Sequence, residues 1–100
     1  MPNIVKYASF GLKDGASVPD FLLASDRFTN ECFSMQKGYV SRKLLAYGER
    51  WADSIVWETA DDAKNAEQAF GDYVFASEYF AFVDEKKGFN FHEFIVAKNY

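Results

Sequence analysis

A single cysteine, Cys32, a single histidine, His92, and no cluster of basic residues mark the first limits on this 100-residue chain. One thiol cannot close an internal disulfide, and it supplies none of the paired spacings that hold zinc. Lysines and arginines scattered under a net charge of −4 leave no stripe to displace the counterions of a nucleic acid and no patch for an anionic membrane. The longest ring-rich run, Tyr79 to Val83, is far too short to span a bilayer. Glycine-rich phosphate loops and G-x-S-x-G elbows are missing. The opening Met1-Pro2-Asn3-Ile4-Val5-Lys6 has no basic segment followed by an apolar one. No secretory leader is expected, and a reducing cytoplasm is the expected compartment.

What the chain does have is aromatic mass: eleven Phe, six Tyr and two Trp. Rings of that size fill a bulky core, an interface or a pocket. The length suits one domain, residues 1–100. Residues 4–12 read as a first strand, and Ser17-Val18-Pro19-Asp20 opens a helix with capping-box spacing and a proline in its permitted first turn. Phe21, Phe28, Cys32 and Met35 draw an apolar stripe along that helix, and Gly38 ends it. Tyr39 to Tyr47 and Trp51 to Glu58 form a hairpin around Gly48-Glu49-Arg50. Thr59 caps a second helix running to about Phe70, with Asp61 and Asp62 facing its positive dipole end. A further helical segment is expected from Tyr73 to about Asp84, carrying Phe75, Tyr79, Phe82 and Val83. Phe89 to Lys98 is the last strand.

The order βαββαβ predicts an α+β, ferredoxin-like antiparallel sheet with helices on one face. Such a sheet ordinarily turns polar residues to its open side. Here the last strand points Phe89, Phe91 and Ile95 one way and Phe94 and Val96 the other. The first strand sets Ile4, Ala8 and Phe10 against Val5 and Tyr7. Both faces call for cover, and one chain has helices for only one, so a homodimer packed through its sheet faces is expected.

The strand ending in Trp57-Glu58-Thr59, the acid-rich helix start, Ala69-Phe70 and the aromatic segment that follows resemble the dimeric α+β barrel superfamily. Within it, the antibiotic-biosynthesis-monooxygenase-like (ABM-like) group is the nearest likeness. That resemblance implies a dimeric α/β barrel with a pocket between helices and sheet. It also implies oxidation of a small aromatic or phenolic compound without a cofactor. Cofactor-free monooxygenases of this kind use an Asn on the first strand and a Trp on the third. Trp57 matches the tryptophan, while the first strand offers Tyr7 and Ser9 in place of the Asn. Haem-degrading relatives add a helical His, and Tyr79 falls at or near that position. Two other readings stand beside the enzyme: a non-catalytic binding or interaction module of the same fold, and a haem-handling protein.

On this reading Trp57, Tyr7 and Phe75 are the candidate ligand-binding residues, and His92 and Tyr79 the candidate catalytic ones. His92 titrates near neutrality and suits proton transfer, and a tyrosine hydroxyl can turn inward to a ligand. Each has a plainer reading as well: Trp57 as the wedge between helix and sheet, the tyrosines as packing, His92 as a half-buried strand residue. Cys32 is expected to be an inert buried thiol. Arg42, Lys43 and Glu58 are read as interface, cross-strand or solvated charges. Glu58, Asp61 and Asp62 are explained by capping, so no metal is expected there, and the resemblance implies no other cofactor.

Overall fold

The computed structural model describes residues 3–100. The expectation of no leader begins at Met1 and Pro2, which lie outside the described residues. Ile4–Leu12 forms β1, the middle of a five-stranded antiparallel sheet. On one side it pairs with β3 (Arg50–Trp57), which pairs in turn with β2 (Tyr39–Tyr47). On the other side it pairs with β4 (Val83–Asp84) at Gly11 and Leu12, and with β5 (Asn90–Ile95) from Ile4 to Ser9. Helices α1 (Val18–Glu31), α2 (Ala60–Ala69) and α3 (Val74–Phe80) supply the second layer. This is the expected ferredoxin-like α+β arrangement, with one strand more than the sequence suggests.

Both predicted N-caps form. Ser17 Oγ accepts from the Asp20 amide at 3.3 Å, and Thr59 Oγ1 accepts from the Asp62 amide at 3.0 Å. Each satisfies an amide that the first helical turn otherwise leaves without a partner. Helix α1 is shorter than its apolar stripe implied. It leaves helical geometry at Cys32, and a 3₁₀ turn at Phe33–Met35 follows. That turn drives Phe33 into the core, 4.4 Å from the Phe28 ring centroid, and leaves Met35 exposed. Burying the larger ring takes precedence over continuing the stripe. Gly38 then reverses the chain at φ +83°, and a Cβ there would run into the Asp62 side chain, so only glycine suits the position.

The segment after α2 is also broken. Phe70–Asp72 forms a 3₁₀ turn, α3 stops at Phe80, and Val83 pairs with Leu12 as a strand. Tyr79 and Val83 are both buried, but from different elements. The last strand spans Asn90–Ile95 rather than Phe89 to Lys98, and one further bond, Val96 N–H to the Asn3 carbonyl at 2.9 Å, carries its pairing past Ile95.

The core lies between helices and sheet, where Phe10, Phe21, Phe28, Trp57 and Tyr79 are the large fully buried side chains. Phe21 sits 5.2 Å from both Trp51 and Tyr79, and Phe28 5.1 Å from Tyr79, ring centre to ring centre. The opposite sheet face carries Val5, Tyr7, Leu45, Val56 and Phe94. Leu45 and Phe94 are about half exposed, at 45% and 51%. Among the described residues, no element of this chain covers that face.

Candidate functional site

Beneath the helices the packing leaves a cavity of about 100 Å³. Ile55 and Trp57 of β3 form its floor, and Phe28, Phe33 and Phe70 close it from the helix side. Phe80 and Phe91, both about half exposed, stand at its rim. Three charged residues reach it: Lys6, Asp53 and Glu67. Lys6 is bound on both sides, 3.3 Å from Glu67 and 3.1 Å from Glu93, with its ammonium 4.9 Å from the Phe91 ring centre.

Asp53 belongs to a buried network that spans four elements, β3, β2, α1 and α3. Along β3 the inward positions are Trp51, Asp53, Ile55 and Trp57, so a carboxylate stands in a row of large apolar side chains. Arg42 reaches it from β2. Its Nη2 lies 2.7 Å from Asp53 Oδ1, a close ion pair with both side chains buried. Arg42 Nη1 donates to Ser25 Oγ at 2.8 Å, the Ser25 carbonyl at 3.1 Å and Thr29 Oγ1 at 2.9 Å. The guanidinium rests on the rings of Tyr79, Phe33 and Phe28, at 5.0, 5.1 and 5.4 Å. Tyr79 donates its hydroxyl to Asp53 Oδ2 at 2.8 Å.

Burial pushes the Asp53 carboxyl up from the usual aspartate range, against the pull of Arg42 and the hydrogen bond from Tyr79. Burial, and then the negative charge of Asp53, push the Tyr79 phenol far above its ordinary value, so Tyr79 stays a neutral donor. A β-bulge makes this geometry possible. Between Tyr39 and Ser41, β2 has one residue more than β3, so Tyr39 and Arg42, three apart, both face the helices.

The predicted site residues divide between the two faces of the sheet. Trp57 is a wall of the cavity, and Tyr79 lies behind it through Asp53. Phe75 is partly buried and packs against the core without lining the cavity. His92 and Tyr7 pair across β5 and β1 on the opposite face, with ring centres 6.3 Å apart and Phe94 beside them. Cys32 is buried, and burial raises its thiol above the usual range. Arg42, read from sequence as a surface or cross-strand charge, has a side chain only 3% exposed. The readable signal was polar residues at inward positions: Asp53 between two tryptophans, and Ser25 and Thr29 one helical turn apart on the packed side of α1. Among the described residues, no group of three or more His, Cys, Asp or Glu side chains is placed to hold a metal ion, and no helix is long and apolar enough to cross a membrane.

No family model and no curated protein matches this sequence. Its fold has well-matched relatives among solved structures. SnoaB from Streptomyces nogalater, a cofactor-independent oxygenase, superposes with a TM-score of 0.78 at 18% identity, over 99% of this chain and 97% of that one. A candidate antibiotic biosynthesis monooxygenase from Bacillus cereus gives 0.67 at 16% identity, over 100% and 96%. Another from Bordetella bronchiseptica gives 0.68 at 19%, over 93% and 95%. The chain therefore shares the α+β fold of these structures, the arrangement that the element order implied.

Proposed function

We propose that this protein binds a small flat aromatic molecule in the cavity beside Trp57 and oxidises it with molecular oxygen without a cofactor. The observation that carries the reading is the ring-walled space beneath the helices, with Asp53 as its buried polar group. Mostly apolar pockets with one or two placed polar groups are the usual form of a small-ligand site. The ABM-like fold adds support, because SnoaB has the same architecture and is itself a cofactor-independent oxygenase.

Size narrows the substrate. A cavity of about 100 Å³ is smaller than the roughly 150 Å³ apolar cavity that takes benzene. A single ring enters if Phe80 and Phe91 give way at the rim. For a hydroquinone the reaction balances with the substrate as sole reductant. One oxygen atom enters the ring, the other leaves as water, and the product is a hydroxyquinone. Trp57 orients the ring, while the Tyr79–Asp53 pair handles the proton. His92 and Tyr7, on the far face, belong to the surface proposed below to join two chains.

The expected result is oxygen uptake with single-ring hydroquinones well above the protein-free rate, and loss of at least about tenfold of it in Trp57→Phe, since misplaced substrate alone costs on that scale. Uptake no faster than the protein-free control would refute the oxygenase. Tight binding of the same compounds without uptake would favour the non-catalytic binding module.

The exposed face around Val5, Leu45, Val56 and Phe94 supports a second proposal, a homodimer closed sheet to sheet. Sedimentation at micromolar concentration should give twice the 11.4 kDa chain mass, and Phe94→Glu should halve it by placing a charge in the dry interface. A soluble wild-type monomer would dispose of this arrangement.

A further inference from the structure

We infer that Phe80 sets which ligands the site accepts. Its ring divides the inner cavity from an outer apolar groove, and with that ring turned aside the two spaces take one molecule, a single ring bearing an unbranched apolar chain. This rests on the cavity being the ligand site, and it adds the shape of the ligand and the residue that selects it. Three observations lead to it.

The first is shared walls. Outside the cavity, α2, α3 and β5 border a groove of about 400 Å³, where Gly71, Ala76 and Ser77 form one side. Glu67, Phe70, Phe80 and Phe91 line both this groove and the cavity beside Trp57, so their side chains are the partition between the two. The second is packing. Lys6 holds Glu67 at 3.3 Å and sets its ammonium 4.9 Å from the Phe91 ring centre. Phe70 is wedged against Phe28 and Phe33, at 5.2 and 4.8 Å. Phe80 is held least. It is the last residue of α3, its ring neighbours Phe28 and Tyr79 both lie on its buried side, and 46% of it faces solvent. A half-exposed ring changes rotamer without repacking the core. The third is size. A cavity of about 100 Å³ is too small for a whole benzene ring, so a bound ring reaches past the place of Phe80 and toward the groove. What it carries there meets Phe70, Ala76 and Phe91. A methylene chain is narrow and flexible enough to follow that course, whereas a second fused ring is as wide as the first and rigid.

The experiment titrates toluene, ethylbenzene and n-butylbenzene into the unmodified protein by calorimetry, with naphthalene as the rigid comparison. Affinity is expected to climb by up to about fourfold per added methylene, because each one leaves water for the groove. Naphthalene is expected to bind more weakly than toluene, although it is the more hydrophobic of the two. In Phe80→Ala that order should reverse, with naphthalene bound at least about tenfold more tightly than by the wild type. Affinities that stay flat along the alkyl series, or naphthalene binding unchanged by Phe80→Ala, would overturn the role of Phe80 while leaving the cavity as a ligand site. Failure of toluene to bind either protein would remove the ligand site itself. Should Phe80→Ala not fold, Phe80→Leu and the wild-type alkyl series decide.

Discussion

Arg42→Ala should lower the unfolding free energy by about 3–5 kcal/mol, the usual result of stranding one partner of a buried ion pair. For a chain of this length that is a fall in melting temperature on the order of 15–30 °C. The loss has three parts. Asp53 keeps its charge in a site closed to water. Ser25 and Thr29 lose the donor that their oxygens accept from, and the rings of Phe28, Phe33 and Tyr79 lose the flat group packed on them. In Arg42→Met/Asp53→Leu the charge and its partner go together, and most of the stability should return, because hydrophobic replacement of a buried pair is often neutral or better. A double-mutant cycle in urea measures the coupling. Arg42→Met and Asp53→Leu costs that simply add in the double variant would show the pair to be incidental.

The same variant has a pH signature. Burial already raises the Asp53 carboxyl above its unfolded value, and Arg42 is the main influence lowering it. The folded chain therefore holds its proton more firmly than the unfolded chain, and this group's contribution falls as pH rises from the unfolded value through the raised one. Without Arg42 that window widens upward. The deficit of Arg42→Ala should narrow on going from neutral to mildly acidic buffer. A constant deficit would mean that the stranded carboxylate is not its source.

Phe28→Ala should cost a comparable amount, about 3–5 kcal/mol, for a different reason. Its ring centre lies 4.4 Å from Phe33, 5.2 Å from Phe70, 5.1 Å from Tyr79 and 5.6 Å from Phe80, so truncation leaves a void that no single neighbour can fill. Because Phe28 also walls the cavity, the void joins it. The variant should gain affinity for two-ring phenols such as 1-naphthol that the wild type excludes, and a bound ligand should restore part of the lost melting temperature. Calorimetric melts with and without 1-naphthol read both effects. Loss of stability with no gain in two-ring binding would place Phe28 in the core but outside any ligand boundary.

Much of the architecture is legible in local chemistry. Ser17 and Thr59 announce their helices because a side-chain oxygen three residues ahead of an unpaired amide is a short-range device. Strand parity in β1 and β5 correctly separates Phe91, which faces the helices beside Ala8, from Phe94, which sits on the open face beside Val5. Element ends are less legible, since they depend on contacts distant in sequence. Phe33 leaves the helical path to meet Phe70, and Val83 leaves it to meet Leu12. The site is legible in part. Trp57 stands out by its size and place. Asp53 is marked only by its inward place among tryptophans, and Arg42 not at all, because the bulge that turns it inward leaves no mark on the sequence. His92 and Tyr7 draw the eye as titratable or amphipathic groups, but parity alone places them across the sheet from the cavity.

That extra residue at Val40 gives the hairpin unequal tolerance to changes in chain length. Around Gly48 and Glu49, the two-residue turn that joins the strands, added residues only lengthen a loop and cost little. Removing one residue between Tyr39 and Arg42 instead shifts the alternation of everything that precedes the deletion or follows it. Either the guanidinium is turned out into water or Tyr39 is withdrawn from Trp57. Length variants of this protein should therefore accumulate at the tip of the β2–β3 ribbon and be absent from its base.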